Sequence, residues 1–236
     1  MSSSLVIIPT YNEKENVEKI ITKVMSLPNN FNVLIVDDGS PDGTAQIVKN
    51  LQSKYTNRLH IEERKGKLGL GTAYIHGFKY ALRNGYEYIF EMDADFSHNP
   101  NDLCRLYDAC AKDGADFAIG SRYTKGGKVS NWPLNRILMS YFASVYVRMI
   151  LFIPIKDTTA GFKCYTRKVL ETLNLDQIQF VGYAFQIEMK YKAIKAGFKA
   201  KEVPITFVDR KEGYSKMSSG IFKEAFLGVW KMRFSR

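Results

Sequence analysis

Cysteine is scarce in this chain. The three thiols, Cys104, Cys110 and Cys164, are odd in number and scattered, with none of the paired spacings of a zinc site. They read as reduced core thiols of a cytosolic protein and not as a disulfide framework. Met1–Pro9 also lacks a basic stretch followed by a long apolar one, which argues against a signal peptide. No repeat or low-complexity linker interrupts the 236 residues, a length that suits one domain with a full hydrophobic core. The glycine fingerprint of a dinucleotide oxidoreductase is also absent: Gly69-Leu-Gly71 follows the third expected strand, not the first, and lacks the last glycine.

What the chain has in excess is positive charge, with 34 Lys and Arg against 24 Asp and Glu and a net charge of +10. That excess calls for an anionic partner: nucleic acid, a membrane surface or a phosphorylated substrate.

Short apolar, β-rich runs occur at Leu5–Ile8, Phe31–Val36, Leu59–Glu63, Tyr88–Met92 and Phe117–Gly120. Between them lie helical patterns over Glu13–Ser26, Ala45–Leu51, Thr72–Asn84 and Pro100–Lys112. The alternation predicts a parallel, doubly wound α/β sheet. The second half is less regular. Gly120–Ser130 reads as a polar loop, and Ile137–Ile155 carries Arg148 as its one charge, a length near that of a membrane span. Arg148 at mid-run and Pro154 near its end argue against a span. The expectation is an amphipathic pair of helical turns on the protein or bilayer surface, with a buried core helix as the alternative. Strands are expected at Gly161–Tyr165 and Val203–Val208, and helices at Val169–Leu173 and Tyr183–Ala196. A basic helix, Ile221–Phe234, closes the chain with Phe222, Phe226, Val229, Trp230 and Phe234 expected on one interfacial face.

Three acidic turns follow successive strands: Pro9-Thr-Tyr-Asn-Glu13, Asp37-Asp-Gly-Ser40 and Asp93-Ala-Asp95. In a parallel sheet all three emerge at the carboxyl edge, where ligands bind. Taken singly, each reads first as a capped turn. Together they form a constellation: Tyr11 can stack on a base, Glu13 and Asp38 can hydrogen-bond a base edge or ribose hydroxyls, and Asp93 with Asp95 can hold a hard divalent cation. A nucleic-acid binder would account for the charge but gives these acids no role, since without a metal they repel phosphates. A peripheral membrane-binding module would account for the aromatic basic tail and for nothing in the first half.

Pro9–Glu13, Val36–Thr44, Gly69–Thr72, Met92–His98, Gly120–Tyr123 and Arg210–Lys216 stand in the order and spacing of the family 2 inverting glycosyltransferases. Within that family the chain resembles the dolichol-phosphate mannose synthases, over nearly its whole length to about Lys216. The resemblance implies a glycosyltransferase A fold in one catalytic domain, with residues 1–125 binding the nucleotide sugar and 126–236 facing the acceptor and membrane. It implies GDP-mannose as donor, Mg²⁺ or Mn²⁺ as cofactor, and a polyprenyl or dolichyl phosphate as acceptor. By matching motif, Pro9, Tyr11, Glu13, Val36 and Asp38 would hold guanosine, and Asp93, Ala94 and Asp95 the metal and diphosphate. Arg122, Arg210 and Lys216 would contact phosphates, and Asp95 and Arg122 are the expected catalytic residues. Some relatives have Gln where Ser97 stands, which implies a water in place of a third protein ligand. Many carry transmembrane helices after the catalytic domain. Here attachment to the cytoplasmic face of a membrane would come from Ile137–Ile155, from Ile221–Phe234 or from a small anchoring subunit. The Gln-x-x-Arg-Trp signature of processive polymer synthases does not occur.

A polyprenyl phosphate has a second pKa of about 6 and is already an anionic nucleophile at neutral pH. No side chain is then needed to remove a proton, and His98, the titratable group nearest the Asp pair, is expected to be dispensable as a base. Cations must instead steer the acceptor, and Arg122 and Arg136 flank a suitable loop.

Overall fold

The computed structural model describes residues 3–209 and 219–234. Its first half runs β1 (Ser4–Thr10), α1 (Val17–Met25), β2 (Asn32–Asp37), α2 (Thr44–Gln52), β3 (Leu59–Glu63), α3 (Leu70–Arg83), β4 (Tyr88–Glu91), α4 (Asp102–Ala111) and β5 (Phe117–Ser121). The second half adds β6 (Lys128–Ser130), α5 (Leu134–Leu151), β7 (Lys163–Thr166), α6 (Arg167–Thr172), α7 (Tyr183–Lys195), β8 (Ala200–Pro204), β9 (Thr206–Val208) and α8 (Ser219–Phe234).

The main sheet has the order β3-β2-β1-β4-β7-β5-β8, and β6 pairs with β9 in a small parallel ribbon. Every pairing in the main sheet is parallel except those of β7, which runs antiparallel between β4 and β5. Period-two alternation divides the core. Leu5, Ile7, Leu34 and Val36 join one buried cluster with Tyr74 and Phe78 of α3 and Phe185 of α7. Val6, Ile8, Val33 and Ile35 join the other with Ile20 and Val24 of α1 and Leu106 of α4. Both faces of the strands are therefore covered, which is why β1 and β2 read as unbroken apolar runs.

Four expectations change. The run taken as one strand at Val203–Val208 is broken at Ile205, whose N–H donates to the Ser121 carbonyl at 3.1 Å while its own carbonyl accepts from Lys128 N at 2.9 Å. That exchange sends β8 to the main sheet and β9 to β6, a strand within the stretch read as a polar loop. Ile137–Ile155 is not a pair of turns: one helix, α5, runs to Leu151 and stops where Phe152 takes a left-handed φ of 52°. Nor is α5 a core helix, since it buries Ser144, Val147 and Leu151 and exposes Leu134, Leu138, Met139, Phe142 and Met149. In α8, Val229 does not share a face with the aromatics: it is buried with Met232, while Phe226, Trp230 and Phe234 are exposed, and the side chain of Phe222 lies outside the described residues. Among the described residues no helix is long and apolar enough to cross a membrane.

Candidate active site

Strand order turns at β1, whose neighbours β2 and β4 lie on either side. The loops leaving β1, β2 and β4 open there into a cleft of about 380 Å³. This is the topological switch point of an open α/β sheet.

At one end, the two acids after β2 divide their work. Asp37 ties the turn together, accepting from Thr10 Oγ1 at 2.8 Å and from Ser40 N and Oγ at 2.8 and 2.6 Å. Asp38 faces the cleft and is gripped by Arg64, with Nε at 2.7 Å and Nη2 at 2.6 Å. Burial still lifts the Asp38 carboxyl above its ordinary range despite that cation. Glu13 is buried, its N–H donating to Thr44 Oγ1 at 3.0 Å and its carboxylate accepting from Asn16 Nδ2 at 3.0 Å. Pro9 and Tyr11 line the same end, and Lys67 Nζ lies 5.4 Å from the Tyr11 ring centroid. Val36 is fully buried in the core behind them and does not reach the cleft through its side chain.

At the centre stand Asp93, Ala94 and Asp95. Tyr74 Oη on α3 lies 3.4 Å from Asp93 Oδ1, and burial followed by the Asp93 charge keeps the phenol protonated far beyond its usual range. Asp95 is buried and accepts the Ser97 N–H at 3.0 Å. Between them and the next helix Phe96 takes a left-handed φ of 59°, a conformation that costs a bulky residue about 1–2 kcal/mol and aims the turn. His98 stacks on Phe162 at 4.9 Å and meets the Phe207 edge at 5.4 Å. Its Nδ1 is 3.9 Å from Asp93 Oδ2, and burial pushes its pKa down, so the ring is neutral and the contact is not an ion pair.

The far end carries two arginines, each paired with an aspartate. Arg122 Nε and Nη2 fork onto Asp157 at 2.7 and 2.6 Å, and Nη2 also reaches Thr159 Oγ1 at 2.7 Å. Burial works against both charges, but their mutual attraction outweighs it, raising the arginine pKa and lowering that of Asp157. Arg136 lies 3.9 Å above the Trp132 ring and bonds through Nη1 to Asp209 at 3.1 Å. Arg210 and Lys216 fall outside the described residues.

Beneath the floor is a buried polar cluster. Lys163 pairs with Glu91 at 3.1 Å and donates to Gln186 Oε1, while Gln186 Nε2 donates to Glu91 Oε2 at 2.8 Å. Nearby, Lys190 Nζ donates to the Ala160 carbonyl at 2.6 Å. Burial pushes Glu91 up and both lysines down. Gln186, Ala160 and Gly161 line the cleft, so this cluster fixes its back wall.

Sequence reasoning passed over Arg64, Asp157, Gln186 and Trp132. Arg64 was visible as the first residue of the basic glycine-rich loop, and Asp157-Thr-Thr-Ala-Gly161 carries a turn composition. The Glu91, Lys163 and Gln186 contacts leave no local trace.

The donor set suits a divalent cation. Among the described residues no cluster of three or more His, Cys, Asp or Glu side chains is arranged around one point. The centre of the cleft offers two carboxylates, Asp93 and Asp95, of which Asp93 has 40% of its side chain open to solvent. Two carboxylates with substrate phosphates and water completing the shell is how Mg²⁺ is usually held beside a nucleotide.

A sheet of this order, with a nucleotide-sized cleft at its switch point and a carboxylate pair in the middle, defines a glycosyltransferase of the A fold. Residues 5–173 match the family described as Glycosyl transferase family 2, and the chain belongs to that family. It is 47% identical to a polyprenol monophosphomannose synthase of Mycolicibacterium smegmatis over 98% of this chain and 87% of the relative. It is 43% identical to an undecaprenyl-phosphate mannosyltransferase of Micrococcus luteus over 95% and 91% of the two chains. Among solved structures it resembles the glucosyl-3-phosphoglycerate synthase of Mycobacterium tuberculosis in complex with phosphoglyceric acid, with a TM-score of 0.68, 16% identity and coverage of 97% and 79%. A mannosyltransferase of Pyrobaculum calidifontis in complex with GDP-Man and Mn²⁺ aligns at a TM-score of 0.58, with 17% identity and coverage of 99% and 70%. At such identities these two likenesses bear on the fold.

Proposed function

We propose that this glycosyltransferase moves mannose from GDP-mannose to a polyprenyl phosphate with inversion, giving a β-mannosyl phosphoryl polyprenol at the cytoplasmic face of a membrane. The observation that carries the reading is the polarity of the cleft, with carboxylates at the nucleotide end and centre and two arginines at the far end. An alcohol acceptor needs a base, whereas a phosphate acceptor needs cations. The names of the two relatives point the same way.

In this mechanism Tyr11 stacks on guanine and Glu13 with Asp38 takes base-edge or ribose hydrogen bonds. Asp93 and Asp95 would hold Mg²⁺ or Mn²⁺, which neutralises the charge that grows on a leaving diphosphate. Arg136 draws in the acceptor phosphate, and Arg122, its charge matched by Asp157, stays protonated whatever the pH and keeps that wall in place. An acceptor oxygen attacks the anomeric carbon from the face opposite the nucleotide. The new C–O bond forms as the bond to the β-phosphate breaks, and its electron pair leaves on GDP. His98, neutral and stacked, keeps its place in the wall without taking a proton.

Membrane contact would use α5 and α8. Every large exposed apolar side chain of the described residues lies either on α5, its end at Phe152 and α8, or on the cleft rim at Leu68, Leu70, Val181 and Tyr183. The two groups adjoin, for Gly228 of α8 approaches Phe180 so closely that an added Cβ would sit 2.8 Å from its ring.

The test is to offer radiolabelled GDP-mannose and UDP-glucose separately with a polyprenyl phosphate and extract the product into organic solvent. Label from GDP-mannose in a β-linked product supports the proposal. Label from UDP-glucose alone, or none, overturns it.

A further inference from the structure

We propose that Trp132 is a positioning residue for the acceptor phosphate, its indole face holding Arg136 in the orientation that receives a phosphomonoester. The inference rests on the proposed acceptor.

Trp132 sits just before α5 on the cleft wall. The Arg136 guanidinium carbon lies 3.9 Å from its ring centroid and the Arg122 carbon 5.8 Å, and the Phe207 ring braces it edge-on at 5.2 Å. Two like charges thus converge on one ring, whose negative face attracts both. A guanidinium lying on a ring has its N–H groups directed outward around the rim. Among the described residues Asp209 takes only Nη1, so Nε and Nη2 stay available for a planar, two-point grip on phosphate oxygens. Arg122 contributes little direct contact, being forked onto Asp157.

The second observation is the indole nitrogen. Trp132 Nε1 is buried without a hydrogen-bond partner among the described residues. An unsatisfied buried donor destabilises a fold, and phenylalanine would avoid it. A tryptophan here serves the fold poorly, yet it is the best aromatic partner for a cation. Those two facts separate a positioning role from a packing role, because they move stability and acceptor binding in opposite directions.

The experiment uses the full chain. Trp132→Leu should raise the KM for polyprenyl phosphate roughly 3- to 30-fold, with the KM for GDP-mannose within about twofold of wild type. Trp132→Phe should recover much of the acceptor KM while melting no lower than wild type. An unchanged acceptor KM in folded Trp132→Leu overturns the proposal, as does a parallel rise in both KM values with a lower melting midpoint in Trp132→Phe. A readout without turnover separates this inference from the functional reading. The chain has two tryptophans, so in Trp230→Phe the emission of Trp132 can be followed alone while geranyl phosphate is titrated. A saturable change that Arg136→Met abolishes supports the proposal even if mannose is not the sugar transferred. No change on titration overturns it.

Discussion

Asp95 and Asp157 are both buried acids, and their replacement should fail in different ways. Asp95 accepts a backbone N–H within its own turn, so Asp95→Asn keeps the hydrogen bond and removes the charge. Turnover should fall about 10²- to 10⁴-fold, since each factor of ten corresponds to about 1.4 kcal/mol of lost transition-state stabilisation. The far-ultraviolet spectrum and melting midpoint should stay near wild type, and near-normal turnover would remove Asp95 from the metal site. Asp157 neutralises a buried arginine, and Asp157→Ala leaves that charge without a partner. Such a loss costs about 3–5 kcal/mol. A urea midpoint close to wild type would mean that Arg122 finds another partner. His98 is best probed as His98→Gln, because Ala would open a hole beside Phe162. With the phosphate as nucleophile, the acidic limb of the rate should follow the acceptor at about pH 6 in both proteins. A limb that vanishes with a collapsed rate would make His98 a base.

At the level of elements, α8 carries two faces whose roles can be separated. Replacing Phe226, Trp230 and Phe234 together by Ser should leave the melting midpoint nearly unchanged, since these side chains are exposed. Retention on anionic vesicles should drop, because apolar contact and nearby cations of about 1 kcal/mol each drive such binding. Val229→Ser should do the reverse, softening the fold and sparing the vesicle contact. Equal vesicle retention by the triple variant would place the lipid contact elsewhere. The sequence made β1, β2 and β4 readable because a continuous apolar run stopped by Pro9, Asp37 or Asp93 is a local signal. The three acidic turns were readable for the same reason. Pairings were not: Arg64 meets Asp38 across 26 residues, Arg122 meets Asp157 across 35, and Gln186 meets Glu91 across 95. The face of a helix was also illegible when apolar residues surround it. Val229 and Trp230 differ by one position, and only packing decides which is buried.

For the molecule as a whole, acid should be destabilising well before the carboxylates titrate. Burial lowers the pKa of both His60 and His98. Each remains neutral in the fold while its unfolded counterpart takes a proton near pH 6.5, so the stability they contribute is complete above that value and is lost as pH falls through the folded values. A net charge of +10 at neutral pH, rising on acidification, adds repulsion in the same direction. The urea midpoint should therefore be lower at pH 5.5 than at pH 7.5, and His98→Gln should flatten part of that dependence. Equal midpoints at the two pH values would contradict the burial argument.

The antiparallel strand in the middle of the sheet also governs how the chain can be made. A ribosome delivers β4 and β5 well before β7, yet β7 must slide between them, pairing Phe90 with Cys164 on one side and Ala118 with Cys164 on the other. Until Thr166 emerges, the nascent chain has two apolar strands whose inner edges face a gap, and such open edges recruit other chains. Synthesis of the sheet is thus all-or-none late in translation. A product truncated within α5 should form aggregates instead of a smaller folded unit, and the growing chain should depend on chaperones until its last central strand is in place.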